Sequence, residues 1–330
     1  MKLIDPFGRT ISYLRFSVTD HCNYRCHYCR DEDHFNKTVR TEVLSYEEIE
    51  RIMQIFADLG ISKVRLTGGE PLLRTGISKI IKLIGAIDGI TDIPLSTNAH
   101  LLEKFAGKIH KNGVNRVNIS IDSLIAERFA EITRGGELDK VINGIDAAIK
   151  VGMRPIKINM VVMRGVNDDE IEAMIDFAIG RKIDIRFIET MPIGSAGINA
   201  LSQHYSETDI LKRIDAHLVN NLIAIKPEQT AGPAKSYLIK NTHSSVGIIS
   251  AVSNNFCSAC NRIRLTAKGQ LILCLGQKNS VSLRDALRSG VTDDEVKNLI
   301  IDAISHKPKQ HDFNTNADNI NTAQMVEIGG

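Results

Sequence analysis

Three cysteines stand within eight residues near the start of the chain, in Cys22-Asn23-Tyr24-Arg25-Cys26-His27-Tyr28-Cys29. Thiolates are ligands for zinc or for iron–sulfur clusters. This spacing lets one short loop hold three corners of a cubane and supplies no fourth ligand, so one iron is left to bind another molecule. A zinc knuckle completed by His21 or His27 is the competing reading, but zinc sites draw their ligands mostly from two separated pairs. A second group, Cys257-Ser258-Ala259-Cys260 with Cys274 further on, again offers three thiols. Taken alone it suits zinc, completed by His243 or water, as well as a cluster. Paired with the first loop it reads as a second open-cornered cluster, and the two together use all six cysteines of the chain. Just after Cys260, the alternation of Asn261-Arg262-Ile263-Arg264-Leu265 puts two arginines on one strand face and apolar residues on the other.

These groups need a scaffold, and the periodicities supply one. Residues 11–20 alternate through Leu14, Phe16 and Val18 as a strand leading into the first cysteine loop. Ser45-Tyr46-Glu47-Glu48 reads as a capping box opening a helix with Ile49, Ile52, Met53, Phe56 and Leu59 on one face. Strands are predicted at Lys63–Thr67, Ile93–Thr97, Arg116–Ile121, Pro155–Val162 and Ile183–Glu189, with helices near 76–87, 101–112, 139–150 and 168–180. Six β units with helical crossovers predict an α/β fold, a partial (βα)6 barrel of the TIM type. Functional groups are expected at the strand ends: Gly68-Gly69-Glu70-Pro71, where Glu70 can accept from an ammonium group, then Ser96-Thr97-Asn98, Asn118–Asp122, and Arg186, Glu189 and Met191, with Lys157 inside its strand. Ser206–Val219 reads as one more helix. The division is placed near 215, giving a barrel of residues 1–215 and a more irregular second-cluster region of residues 216–330. Thr292-Asp293-Asp294-Glu295 opens a helix to about Ser305, and the ending Met325–Gly330 reads by itself as a frayed tail.

At 330 residues, 43% hydrophobic and 24% charged, the composition is that of an ordinary globular protein. A net charge of +2 argues against a general nucleic-acid or membrane-surface role. Met1–Thr10 has no signal-like region, and no run of about 20 apolar residues could span a bilayer. The expectation is a cytoplasmic protein whose thiols stay reduced and serve as ligands.

The first loop resembles the signature of the radical S-adenosylmethionine (SAM) superfamily. The two cysteine groups, the Arg-x-Arg after the second and the terminal Gly-Gly together resemble the GTP 3′,8-cyclase family of molybdenum cofactor biosynthesis, from about Arg9 to Gly330. The resemblance implies two [4Fe-4S] clusters, one on Cys22, Cys26 and Cys29, the other on Cys257, Cys260 and Cys274. It implies SAM contacts from Tyr28, Gly69, Ser120 and Met191, with Glu70's loop holding the SAM amino group. GTP contacts are implied for Arg15, Arg65, Ser96, Lys157, Arg262, Ile263 and Arg264, with Lys63 and Arg186 beside them. Arg262, Arg264, Gly329 and Gly330 would complete the catalytic site. The implied reaction is abstraction of the ribose 3′ hydrogen of GTP, attack of the 3′ carbon on guanine C8, and release of 3′,8-cyclo-7,8-dihydro-GTP. Implied partners are a flavodoxin- or ferredoxin-type reductant, a downstream cyclic pyranopterin monophosphate synthase, and a second copy in a homodimer. With no Gly-x4-Gly-Lys-Ser/Thr loop in the chain, arginines and lysines must hold the triphosphate. The sequence departs from the family's usual residues at Ala99, His21 and Asp31, where Gly, Arg and Pro are more common. A peptide-modifying radical SAM enzyme and a zinc-stapled binding protein are the alternatives.

Overall fold

Alternation at period two builds one sheet whose two faces have different chemistry. The structure, a computed structural model, describes residues 2–32, 38–226, 232–311, 313 and 323–329. The six expected strands are β1 (Tyr13–Ser17), β2 (Lys63–Thr67), β3 (Leu95–Thr97), β4 (Val117–Ser120), β5 (Ile156–Val162) and β6 (Asp184–Glu189). They pair in sequence order, all parallel. In β5, Ile156, Ile158, Met160 and Val162 are buried, while Lys157, Asn159 and Val161 between them are only half-buried. The apolar row packs outward under the helices, and each such side chain contributes about 1.5–3 kcal/mol by leaving water. The polar row faces inward.

Between these strands run α1 (Tyr46–Asp58), α2 (Ile77–Gly85), α3 (Leu102–Lys111), α4 (Ala126–Thr133), α5 (Leu138–Lys150) and α6 (Ile171–Arg181). The capping box at Ser45 and Glu48 is present, and α1 buries Ile49, Ile52, Met53, Ile55 and Phe56. Helix α4 goes beyond the sequence expectation. It is only eight residues long, too short for its periodicity to stand out.

The segment after residue 215 continues the same sheet. Helices α7 (Gly194–Ala200) and α8 (Glu207–Leu218) lead to β7 (Leu222–Ile225), β8 (Lys235–Ile239) and β9 (Ser245–Ile249), and β9 lies parallel to β6. The chain then crosses to the other edge, where β10 (Arg262–Leu265) lies parallel to β1 and is followed by β11 (Gln270–Ile272) and β12 (Ser280–Ser282). The spatial order is β12-β11-β10-β1-β2-β3-β4-β5-β6-β9-β8-β7. Strands from β10 to β8 line one cavity, so the sheet curls around it, yet its outermost strands do not pair. The barrel is partial. Helices α9 (Leu283–Arg288) and α10 (Asp293–Ser305) close the chain's helical layer, α10 with the expected capping box at Thr292.

Candidate active site

The parallel register stacks the inward residues of neighbouring strands into rows. Arg264 of β10 is opposite Arg15 of β1, which is opposite Arg65 of β2; the adjacent row is Arg262, Tyr13 and Lys63. Further round, Asn118 faces Lys157 and Asn159 faces Arg186. Neighbouring strands lie about 4.8 Å apart, so like charges in one row repel. All these side chains line a cavity of about 750 Å³. Ten basic and three acidic residues line it, while the whole chain carries only +2. The positive charge is concentrated here.

Some of it is answered from the cavity's lower rim. Asp92 pairs with Arg116 and lies 3.9 Å from Lys63, and Asp184 lies 3.3 Å from Lys157. Arg65 donates to the Tyr13 hydroxyl at 2.5 Å and to Ser96 Oγ at 3.2 Å. Burial, with the neighbouring Arg15 and Arg262, pushes Arg264 well below the ordinary arginine range, and burial brings Arg15 and Arg186 down to about 10. Burial is the larger cause, and the neighbouring cations add a repulsion that a bound polyanion would relieve. Ile263, between the two arginines, is 1% exposed and belongs to the core, so it can reach a ligand only through its backbone.

The first cysteine loop follows β1 and sits at the C-terminal ends of the strands. Cys22, Cys26 and Cys29 all line the cavity. The Cys29 amide donates to the Cys26 carbonyl at 3.0 Å, and the Tyr24 amide to Cys22 Sγ at 3.4 Å. The C-terminal end of α4 braces the loop through Arg25 N to Thr133 O at 2.9 Å and His27 N to Ile132 O at 3.2 Å. Burial pushes the Cys22 thiol up to about 11 and Cys29 up to about 12, with Cys26 also well raised. Iron binding would displace those protons. His21 and His27 are exposed, and among the described residues no three or more His, Cys, Asp or Glu side chains are grouped for one metal ion. A cubane instead spreads its three ligands over separate irons, and the donor set of three thiols beside an open cavity fits it.

Around this loop, Tyr28, Gly69, Ser120 and Met191 also line the cavity. The Tyr28 hydroxyl donates to Asp122 Oδ2 at 2.7 Å, and the Val161 amide to Asp122 Oδ1 at 2.8 Å. Burial nevertheless pushes Asp122 up to about 6. Glu70 corrects the sequence reading. It is fully buried, and its carboxylate accepts from Thr97 Oγ1 at 2.7 Å, Asn98 N at 2.7 Å and Leu72 N at 3.0 Å. It buckles two loops together and is not a cavity-lining group. The glycines before it serve close approach: a Cβ on Gly69 would lie 2.2 Å from the His21 carbonyl oxygen.

The second triad lies at the opposite end. Cys257 and Cys260 precede β10, whose parallel pairing with β1 puts them at the strands' N-terminal mouth, and the antiparallel return of β11 brings Cys274 back beside them. Lys307, 3% exposed, donates to the carbonyls of Arg262, at 3.0 Å, and Leu273. Burial alone would raise the Cys260 thiol, but Lys307 and Arg262 bring it below its ordinary value, whereas burial raises Cys257 and Cys274. Three thiols with adjacent cations again fit an anionic cluster.

Residues 323–329 pack against the site. Val326 and Ile328 are buried, and Met325 and Val326 line the cavity. The Gly329 carbonyl accepts from Arg264 at 2.6 Å and Arg15 at 3.4 Å. Gly330 lies outside the described residues. Asp122, from the expected Asn118–Asp122 strand end, lines the cavity, and so do Tyr13 and Arg116, to which the sequence reading assigned no contact. Tyr13 shares Arg15's face at i−2, the signal that could have found it.

The family model for the Radical SAM superfamily matches residues 16–178, and that described as Molybdenum Cofactor Synthesis C matches residues 183–313. A curated relative from Hydrogenovibrio crunogenus called GTP 3′,8-cyclase is 53% identical over 331 residues, covering 100% of both chains. Another of that name from Alkaliphilus oremlandii is 42% identical over 326 residues, covering 99% of each. Among solved structures, Streptococcus suis SuiB bound to S-adenosylmethionine aligns with a TM-score of 0.66 at 15% identity, over 91% of this chain and 69% of that one. At that identity the likeness concerns the fold alone.

Proposed function

The chain belongs to the GTP 3′,8-cyclase family of radical SAM enzymes, and from that premise we propose how the cation-lined cavity divides the work. The enzyme converts GTP into 3′,8-cyclo-7,8-dihydro-GTP, the first step of molybdenum cofactor biosynthesis. Cys22, Cys26 and Cys29 hold one [4Fe-4S] cluster at the strands' C-terminal ends, with Tyr28, Gly69, Ser120 and Met191 around SAM. Cys257, Cys260 and Cys274 hold the second at the opposite mouth. When bound, the first cluster and SAM supply the 5′-deoxyadenosyl radical that takes the ribose 3′ hydrogen.

The chain's own residues do the rest. Arg15, Arg65, Lys157, Arg262 and Arg264, with Lys63, Arg186 and Ser96, take the triphosphate and ribose between the two ends; Ile263 contributes only backbone. Each charge-assisted hydrogen bond adds roughly 1.5–3 kcal/mol. The tail through Gly329 completes the wall on the arginine side and keeps water from the reacting carbons, and Gly330 is proposed to share in catalysis. The division near residue 215 separates the SAM half from the second-cluster half of one shared sheet.

The observation that carries this reading is the first thiol triad in the cavity wall, with stacked rows of cations running from it toward the strand N-termini, where Cys260 precedes Arg262. Among the described residues no helix is long and apolar enough to cross a membrane. A cytoplasmic setting, a flavodoxin- or ferredoxin-type reductant, hand-over to a cyclic pyranopterin monophosphate synthase and a homodimer complete the proposal.

The test is anaerobic reconstitution with iron and sulfide, then SAM, reductant and GTP, with mass analysis of the nucleotides. A product isobaric with GTP, formed alongside 5′-deoxyadenosine, is the expected result. Deoxyadenosine with GTP untouched would favour the peptide-modifying alternative.

A further inference from the structure

Three side chains distant in sequence meet beside the first cysteine loop. Ser195 Oγ donates to Asp31 Oδ2, while Gln324 Nε2 donates to the same carboxylate oxygen at 2.8 Å and to Ser195 Oγ at 2.8 Å. The amide nitrogen, the hydroxyl and the carboxylate oxygen close a ring of three hydrogen-bond contacts. A backbone bond runs alongside it, from the Met325 amide to the Cys29 carbonyl at 3.2 Å.

Each member belongs to a segment with a different task. Asp31 lies two residues beyond Cys29, and Ser195 is in the first turn of α7, four residues beyond Met191. Gln324, 7% exposed, opens the tail whose tip is held at the Gly329 carbonyl. Gly194 stands at φ +62, and a Cβ there would come within 2.9 Å of Gln324 Oε1, so α7 begins in direct contact with the tail's root.

We propose that Asp31, Ser195 and Gln324 form a latch that fixes the root of the tail to the cluster loop and the turn after Met191, making closure of the cavity depend on both. They are positioning residues, acting through the tail. This ring ties the tail near its root, Arg264 and Arg15 tie its tip, and Met325 and Val326 between them form cavity wall. With the ring broken, the root loses its side-chain ties to the cluster loop and α7 while the Met325 amide still donates to the Cys29 carbonyl, so the wall loosens and a radical formed at the first triad meets a less firmly closed site. The inference rests on the proposed assignment of SAM and GTP to the two levels of the cavity.

The test uses the full chain, reconstituted anaerobically, carrying Ser195→Ala, Gln324→Leu or Asp31→Leu. Ser195 is exposed, so its variant reports even if a buried substitution fails to fold. Hydrogen exchange of the 323–329 amides should quicken about tenfold, the weight of one charge-assisted hydrogen bond, and 5′-deoxyadenosine formed per cyclised nucleotide should rise by a similar factor with iron content unchanged. Asp31→Asn, which keeps an acceptor oxygen, should restore most of the coupling. Unchanged exchange and an unchanged ratio in all variants would overturn the latch. Absence of cyclised nucleotide from the unaltered protein would overturn the functional assignment instead, while the exchange measurement would still decide the latch.

Discussion

Arg264 donates to the carbonyl oxygen of Gly329 at 2.6 Å, joining the second-cluster region's cation row to the end of the described tail. The same guanidinium stands opposite Arg15 in the register and has no carboxylate in the row. Arg264→Ala should keep both clusters and weaken GTP binding about tenfold to a hundredfold, the range for losing one or two charge-assisted bonds. Equilibrium binding of GTP to the reconstituted variant checks this. Gly329→Ala should act from the other side, since φ is +78 and the new Cβ would sit 3.0 Å from Thr67 Cγ2. Left-handed backbone costs an alanine about 1–2 kcal/mol, so cyclisation should fall about tenfold while thermal stability holds.

Gly69→Ala should be more damaging. The added Cβ meets backbone, the His21 carbonyl oxygen at 2.2 Å, and a backbone carbonyl next to a cluster ligand cannot step aside as a flexible side chain can. Loss of the first cluster's iron, with the second retained, is the expected result of iron analysis and electron paramagnetic resonance. Full iron content would show that the loop accommodates a side chain.

Much of the barrel is legible in the sequence because its strands are short, alternate cleanly and are separated by long periodic helices. The inward cations are legible for the same reason: Lys63 and Arg65, or Arg262 and Arg264, stand two apart between buried neighbours. The strands after residue 215 are harder to see. Leu222–Ile225 is mostly exposed, so it lacks the hydrophobic contrast that marks a strand, and Ser280–Ser282 is polar. Nor could local pattern show that β10 would return to pair with β1, which places the second triad opposite the first. Glu70 shows the limit for single residues, because its burial depends on donors from Thr97 and Asn98, nearly thirty residues away. At Ala99 the structure puts a non-glycine residue at φ 60, which explains why glycine is the usual occupant of that turn.

Tyr13 should make GTP binding depend on pH. Burial alone would raise its phenol, but Arg65, Arg15 and Lys63 bring it down to about 7. Above that value the phenolate adds negative charge where the triphosphate binds, so binding takes up a proton. Affinity should therefore fall as pH rises from about 7.5 to about 9, above the last phosphate ionisation, and Tyr13→Phe should flatten the profile. The ligand-free protein should show the opposite sign. Between the folded value of about 7 and the unfolded 10.0, the folded state binds fewer protons, so its stability rises with pH and the gain is lost as pH falls through 7. An identical binding profile in the variant would remove Tyr13 from the substrate's surroundings.

Lys307 should matter to the second cluster before it matters to the fold. Its ammonium is buried between the carbonyls of Arg262, which opens β10 two residues after Cys260, and Leu273, which immediately precedes Cys274. Lys307→Met preserves much of the volume but leaves two buried acceptors unmatched, at a cost of about 1–3 kcal/mol each. It also removes one of the two cations, the other being Arg262, that lower the Cys260 thiol. The variant should remain folded, since the barrel's apolar layer is untouched, and should lose the second cluster's iron on gel filtration while retaining the first. Arg9 donates to the Cys257 carbonyl at 2.7 Å and offers the comparison: Arg9→Met should weaken the same cluster without removing a cation from Cys260. Equal iron retention in both variants and the unaltered protein would mean that the cysteines alone hold the cluster.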